Sequence, residues 1–515
     1  MTGANHLAAE LGLGQAARAA RIFAWLPDGR VYTHADVDAV SARFALALAR
    51  LGVAPGDRVA VQVEKSIEAL MLYLGTIRAG AVFLPLNTAY TPAEIDYFVG
   101  DAEPALLVCD PGQRAALEPV AAAHGARLET MGVWAADGGD HGSFFGHVPG
   151  SAEGVRDAPR GPDDLAGILY TSGTTGRSKG AMLSHENLAS NARALTALWR
   201  FTAEDVLIHA LPIFHTHGLF VATNVILRAG GALRFHRKFD ADAVLGDFGR
   251  STALMGVPTF YTRLLDHPGL TRDACAGMRV FISGSAPLLA ETHEAWSART
   301  GHAILERYGM TETNMITSNP YDGERRAGTV GFPLPGVEVK VTDPGTGREL
   351  AQGETGMIEV RGPNVFRGYW RMPEKTAEEK RPDGFFITGD LGRVDARGYL
   401  SIVGRAKDLV ISGGYNVYPK EVETAIDAVP GVVESAVIGL PHPDFGEGVA
   451  AVVVASDPAL TEEGILAEVA PGLARYKQPR RIFFADSLPR NAMGKVQKKD
   501  LRERHAGAFD AAAAR

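Results

Sequence analysis

A chain of 515 residues is longer than one hydrophobic core usually serves, so two or more domains are expected. Apolar residues make up 46% and charged residues 22%, and a net charge of −8 without a basic block argues against a nucleic-acid surface. Cys109 and Cys275 form neither a disulfide framework nor a zinc pattern, and no apolar run reaches the ~18 residues of a membrane span, so a cytoplasmic setting without a membrane partner is expected.

Residues 1–13 include Glu10 and show no charged-then-apolar signal layout. Thr33-His34-Ala35-Asp36 has capping-box spacing, and Val37, Val40, Phe44, Leu48 and Leu51 follow at helical intervals before Gly52, which predicts an amphipathic helix. Strands are predicted over 58–63, 81–86 and 106–109, with a helix over 67–77. This alternation points to a doubly wound α/β domain. Residues 135–162, rich in Gly, Asp and Pro, read as an irregular connection.

A strand over 166–170 then breaks into Thr171-Ser172-Gly173-Thr174-Thr175-Gly176-Arg177-Ser178-Lys179-Gly180. Glycines let backbone approach a ligand closely, successive N–H groups form an anion nest, and Lys179 adds a point charge, so the loop suits polyphosphate. It is not a Walker A loop: Lys179 follows Gly176 by three, and Gly180 stands where Ser or Thr belongs. The competing reading, a flexible linker, fits poorly with a position directly after a buried strand.

A helix is predicted from Ser184-His185-Glu186-Asn187 to 198, and a strand over 206–211 leads into Pro212-Ile213-Phe214-His215-Thr216-His217. The two histidines invite a metal, but no third ligand lies at a recognisable spacing, and a site wall is the better reading. A strand over 252–257 closes at Pro258-Thr259-Phe260-Tyr261-Thr262-Arg263, and one over 279–283 opens into Gly284-Ser285-Ala286. Ligands bind beyond the carboxyl ends of such strands, so these ends are expected to surround one crevice.

Glu306-Arg307-Tyr308-Gly309-Met310-Thr311-Glu312 sets a carboxylate beside a hydroxyl, which can hold Mg²⁺ or be a solvated turn. Asp390, in Thr388-Gly389-Asp390, is placed to accept from ribose hydroxyls. After Gly404-Arg405-Ala406-Lys407-Asp408 the pattern resets to a small α/β unit, so the expected domains are 1–404 and 405–515. The second carries Gly494-Lys495, which taken alone could sit on a frayed surface tail.

Together these clusters resemble the adenylate-forming superfamily of acyl-CoA synthetases, luciferases and adenylation domains, over nearly the whole chain and with the motifs in order. Arg177-Ser178 departs from the Pro that many members carry before the lysine. Within the superfamily, Leu84-Pro85-Leu86-Asn87-Thr88-Ala89-Tyr90, the stretch from His209 to Leu219, Gly256-Val257-Pro258-Thr259-Phe260-Tyr261-Thr262-Arg263 and the stretch from Glu306 to Met315 resemble malonyl-CoA synthetases.

The resemblance implies a large N-terminal domain of doubly wound sheets and a small mobile C-terminal α/β lid. It also implies ATP, Mg²⁺ and coenzyme A as reactants or cofactor, and malonate or methylmalonate as the acid. Thr171, Ser172, Gly173, Thr174, Thr175, Gly176 and Lys179 would hold the β- and γ-phosphates. Thr311 would touch the α-phosphate and Glu312 the metal. Gly284, Ser285, Ala286, Glu306, Arg307 and Tyr308 would line the adenine site, and Asp390 and Arg405 the ribose site. Lys495 would bridge carboxylate and α-phosphate, Lys407 would be the hinge, and Ser412, Gly413 and Gly414 would face CoA. A second substrate carboxylate needs a cation, for which Arg263 is the candidate, with His215 and Ser283 beside it; an exposed Arg263 in a surface ion pair is the competing reading. Alternatives are a CoA ligase for a monocarboxylate and an adenylation unit that loads a carrier protein. Pro489 to Lys495 also fits a Pro-x-x-x-x-Gly-Lys pattern used by lysine acetyltransferases in this superfamily.

Overall fold

The computed structural model describes residues 4–133, 141–171, 178–412, 415–491 and 494–509. The chain packs as two compact units. The first comprises Met1–Ala327, Phe332–Glu338 and Val360–Phe386; the second comprises Gly328–Gly331, Val339–Glu359 and Ile387–Arg515. Among the described residues no helix is long and apolar enough to cross a membrane.

The first unit is built on two sheets. A seven-stranded sheet has the mostly parallel strands Leu165–Thr171, Val82–Pro85, Arg58–Gln62, Leu106–Cys109 and Arg127–Thr130, with Lys179–Ser184 and Gly368–Tyr369 added antiparallel at one side. A nine-stranded sheet has the parallel core Leu305–Met310, Val280–Ser283, Ala253–Gly256, Val206–His209, Ala232–Phe235 and Ile22–Trp25.

Helix Ile67–Arg78 is buried along nearly its whole length, as its mostly apolar sequence requires, and Glu68 and Thr76 are buried with it. Its Tyr73 ring meets Phe83 of the seven-stranded sheet at 5.3 Å and Phe220 at 5.6 Å, while the Tyr73 hydroxyl donates to Asn224 Oδ1 at 3.2 Å. The predicted helix after Thr33 forms as His34–Arg50 with a complete capping box: Asp36 N–H donates to Thr33 Oγ1 at 3.1 Å, and Thr33 N–H donates to Asp36 Oδ2 at 2.7 Å.

Two local expectations change. Residues 258–263 do not simply close a strand; they form helix Pro258–Leu265, with Pro258 in the first turn, where its missing N–H costs nothing. The irregular stretch 212–216 leads into a wide π-helical turn, His217–Ala222, continued by α-helix Thr223–Ala229. Insertions of this kind recur at functional sites.

In the second unit, Gly446–Ala455 lies at the centre of a five-stranded sheet. It is antiparallel to Val432–His442 and Val410–Ser412, and parallel to Arg481–Phe484. Helix Pro419–Asp427 buries Val422 and Ile426 in the core, with Val437, Val449 and Ile465. A separate four-stranded sheet runs in the order Glu338–Thr342, Gly356–Arg361, Phe386–Val394, Leu400–Arg405. Packing thus groups residues 387–404 with the C-terminal part of the chain.

Candidate active site

Strands Val206–His209, Ala253–Gly256, Val280–Ser283 and Leu305–Met310 run parallel, so their carboxyl ends open on one edge of the nine-stranded sheet. There the structure gathers His215, His217, Tyr261, Gly284, Ser285 and Arg307. Arg307 is only 2% exposed. Its guanidinium lies against the Gly284 backbone, where a Cβ would stand 2.5 Å from Cζ, so only glycine fits. Arg307 Nε and Nη2 meet no acceptor among the described residues. Burial pushes this guanidinium down to about 9, with Tyr261 and Glu306 opposing the shift. A buried cation with unused N–H groups is an anion site by chemistry.

The histidines beside it stay neutral. Burial and the Arg307 charge push His215 down to about 4, and the same two causes hold His217 well below its usual range. His217 Nδ1 lies 3.2 Å from Ser285 Oγ, and Ser285 takes φ +74°, a left-handed conformation unusual for serine. Among the described residues no group of three or more His, Cys, Asp or Glu could hold a metal. Ser283 Oγ is buried without a partner among the described residues, and Ser283 stands in register with Glu306 on the next strand. Glu306 Oε1 accepts from Leu288 N–H at 3.4 Å. Ala286 is half-buried and Tyr308 buried at the same edge.

Arg263 is not part of this buried group. It is exposed on helix Pro258–Leu265, one turn beyond Thr259, and makes no ion pair among the described residues. The reason is helical phase: Phe260, Tyr261 and Leu264 take the buried face, which turns Arg263 outward.

A second cluster lies where Thr171 and Lys179 flank the stretch 172–177 in sequence. Thr171 and Lys179 stand opposite each other across paired strands, while Ser172, Gly173, Thr174, Thr175 and Gly176 lie outside the described residues. Thr171 Oγ1 donates to Glu312 Oε1 at 3.4 Å. Tyr369 Oη lies 3.0 Å from Glu312 Oε1 and 2.6 Å from Glu379 Oε2. Lys179 Nζ pairs with Glu379 Oε1 at 2.9 Å and sits 4.0 Å above the Tyr369 ring. The loop lysine and the carboxylate proposed for metal are therefore joined through one tyrosine. Glu312, 5% exposed and within reach of the Thr171 and Tyr369 hydroxyls, the second of which it shares with Glu379, fits the single-carboxylate pattern by which Mg²⁺ is held next to phosphate.

The turn that carries Thr311 and Glu312 depends on Gly309. The pairing of Leu305–Met310 with Asn314–Ser318 shifts register between Tyr308 and Gly309, and a Cβ on Gly309 would stand 2.0 Å from the Asn314 carbonyl oxygen. Gly309→Ala is expected to cost about 1–3 kcal/mol of stability. Thermal unfolding checks this; an unchanged midpoint would contradict it.

The remaining candidates belong to the second unit. Arg405 Nε pairs with Asp390 Oδ1 at 2.9 Å, across strands in which the two residues stand in register. Lys407 is exposed on the short turn Ala406–Asp408. Ser412 is buried at the end of its strand, and Gly413 and Gly414 lie outside the described residues. Lys495 is not on a frayed tail. Its N–H donates to Asn491 Oδ1 at 3.0 Å, its carbonyl accepts from Asn491 N–H at 2.9 Å, and Arg490 bridges Val496.

Tyr369 and Glu379 escaped the sequence reading. The pattern Gly368-Tyr369-Trp370 ahead of a Pro-capped helix offered a weak signal for the tyrosine, but nothing local marks Glu379, whose partner Lys179 lies far away in the chain.

The profile of a family described as AMP-binding enzyme matches residues 14–370, and that of the AMP-binding enzyme C-terminal domain matches residues 421–495. A malonate–CoA ligase of Arabidopsis thaliana is 36% identical over 492 residues, covering 88% of this chain and 78% of that protein. A feruloyl-CoA synthase of an Amycolatopsis species is 36% identical over 481 residues, covering 92% and 94%. The crystal structure of ATP-bound MatB from Rhodopseudomonas palustris superposes with a TM-score of 0.95 at 58% identity, covering 98% of this chain and all of that one. With both profiles matched in order, the chain belongs to the AMP-binding enzymes, the adenylate-forming superfamily.

Proposed function

We propose that the protein ligates malonate to coenzyme A with ATP, through a malonyl-adenylate, giving malonyl-CoA, AMP and pyrophosphate. The observation that carries this reading is the buried Arg307, which we reassign from the adenine site that the resemblance implied to the distal carboxylate of the acid, in place of Arg263. Malonate bound for adenylation keeps one carboxylate away from the reacting centre, and burying that charge unpaired would be very costly. Arg307 offers two unused N–H groups among neutral histidines, at the sheet edge where the acyl group belongs. A ligase for monocarboxylates would have no use for it. Arg263, exposed and unpaired, acts as an outer arm that draws the dianion in. The relatives agree in kind, since one is a malonate–CoA ligase. Methylmalonate is a second substrate, because one added methyl shifts discrimination by only about 1–3 kcal/mol.

In the first half-reaction a substrate carboxylate oxygen attacks the α-phosphorus and pyrophosphate leaves. The protein supplies position and charge. Lys179 releases Glu379 to hold phosphate oxygens, Thr311 steadies the α-phosphate, and Lys495 bridges the attacking carboxylate and the α-phosphate. Glu312 is the residue that would hold Mg²⁺, which when bound neutralises phosphate charge. Asp390 and Arg405 take the ribose. In the second half, the CoA thiol displaces AMP after the C-terminal domain, 405–515, turns about Lys407 and presents Ser412 and its glycines. ATP and CoA are intracellular reactants, and we assign the enzyme to the cytoplasm on that ground.

Lys495 must be protonated to bridge two anions. Burial pushes its amine down to about 8; the nearby Arg405 and Lys407 add to this, against Asp390 and Asp408. The active form is therefore present below that value and lost as pH rises through it. kcat/KM for ATP in pyrophosphate exchange, which reports the free enzyme, is expected to fall above pH of about 8; a flat profile there would contradict the assignment. Acetylation of Lys495 by a lysine acetyltransferase would remove the same charge, and mass spectrometry after such treatment tests it.

The test of the whole reading is CoA-dependent AMP release with malonate, methylmalonate, acetate, butyrate and benzoate, for wild type and Arg263→Ala. Turnover confined to the two diacids supports it, and the mutant separates the outer arm from the buried one. Preference for a monocarboxylate would overturn it.

A further inference from the structure

Outside the groups just described, one buried cation has no role in the chemistry. Lys65 lies between strand Arg58–Gln62 of the seven-stranded sheet and helix Ile67–Arg78, and it is 7% exposed. Its Nζ is 2.9 Å from His209 Nδ1 and 2.8 Å from the His209 carbonyl oxygen, and lies 4.6 Å above the Phe235 ring. Its amine thus faces a ring nitrogen, a carbonyl and an aromatic face, and burial pushes it well below the usual lysine range. No carboxylate is among these partners.

His209 ends strand Val206–His209 of the other sheet. On its far side, Nε2 lies 2.9 Å from the Gly218 carbonyl oxygen, which also accepts from Thr223 Oγ1 at 2.9 Å. A carbonyl can only accept, so Nε2 carries the hydrogen, and Nδ1 is left as the lone pair that accepts from Lys65. The Gly218 carbonyl therefore sets the tautomer, and the lysine, donating to the remaining lone pair, reinforces it and fixes the plane of the ring. Gly218 stands at the start of the π-helical turn, and a Cβ there would lie 2.1 Å from the Pro212 carbonyl oxygen, so the chain folds back tightly on itself. The contact from His209 to Gly218 closes the base of the loop 210–217, which carries His215 and His217.

We infer that Lys65 is a positioning residue: it fixes the His209 ring so that His209 clasps Gly218 and holds the loop bearing His215 and His217 against Arg307. As a contribution to acid recognition this rests on the function proposed above; as a clasp it stands on the geometry alone. A single π-helical turn has only a short i→i+5 ladder, and the clasp adds a constraint that reaches it from the seven-stranded sheet.

The test uses the full chain. Long-range proton–nitrogen correlation of the histidine rings, with His209 identified by its loss in His209→Gln, is expected to show the Nε2–H tautomer in wild type and its loss or mixing in Lys65→Met. In the same variant, kcat/KM for the acid that wild type uses best is expected to fall about 10²-fold, the scale of a small misplacement at the reacting centre, with KM for ATP unchanged. Using the best acid keeps a failure of malonate distinct from a failure of the clasp. An Nδ1–H tautomer in wild type, or wild-type acid kinetics in folded Lys65→Met, would overturn the inference. If Lys65→Met does not fold, Lys65→Gln takes its place, and wild-type acid kinetics with an unmixed Nε2–H signal in a folded variant that has lost the lysine amine would overturn the inference.

Discussion

Arg307→Met is expected to reduce kcat/KM for malonate by roughly 10²–10³-fold, corresponding to about 3–4 kcal/mol for leaving one member of a buried charge pair without its partner. The size of the effect follows from where the guanidinium sits. It is 2% exposed, lies against Gly284, and has two N–H groups that no described residue satisfies. Water cannot easily replace it, so the distal carboxylate of malonate would face neutral histidines and the Tyr261 ring. Butyrate has no such carboxylate. Its low turnover should hold or rise in the variant, because an unpaired cation has been removed from beside an apolar chain. Arg263→Ala should cost far less, since an exposed charge acts mainly on encounter and is screened by salt. Steady-state kinetics with both acids on both variants measure this. Equal losses for malonate and butyrate in Arg307→Met would show that the guanidinium serves the nucleotide instead.

Lys495→Ala is expected to lower adenylate formation by about 10²–10³-fold, the range seen when one preorganised charge-stabilising donor is removed. The thioester-forming half should be spared. The ammonium is needed while negative charge gathers between carboxylate and α-phosphate, and has no partner of that kind once pyrophosphate has left. ATP–pyrophosphate exchange should therefore collapse, while conversion of supplied malonyl-adenylate and CoA to malonyl-CoA continues. The closed turn that carries Lys495, with Asn491 bonded to both its N–H and its carbonyl, does not involve the side chain. Folding should thus be unaffected, and the two half-reactions can be compared in one protein. Equal loss of both halves would remove Lys495 from its bridging role.

Much of this could be read from residues in sequence. The helix after Thr33 carries its own cap and stop, strands of Val, Leu and Ile are bounded by glycines, and the Gly–hydroxyl–Lys loop announces phosphate by composition. What escaped the sequence depends on contacts between distant parts of the chain. Arg263 and Arg307 are indistinguishable as single arginines near apolar residues. Only the phase of helix Pro258–Leu265 turns the first outward, and only Gly284 on the neighbouring strand makes room for the second. Lys65 reads as an ordinary polar residue before a helix cap, because His209 belongs to another sheet. Tyr369 joins Glu312 to Glu379 for the same kind of reason, as the three meet only after the chain has folded.

The most direct measurement is the identity of the products. Wild-type protein would be incubated with malonate, ATP, Mg²⁺ and CoA, and nucleotide and thioester quantified together. Malonyl-CoA and AMP in equal amounts, with pyrophosphate and without ADP, is the predicted result. Release of ADP, or a thioester from butyrate or benzoate but none from malonate, would contradict it.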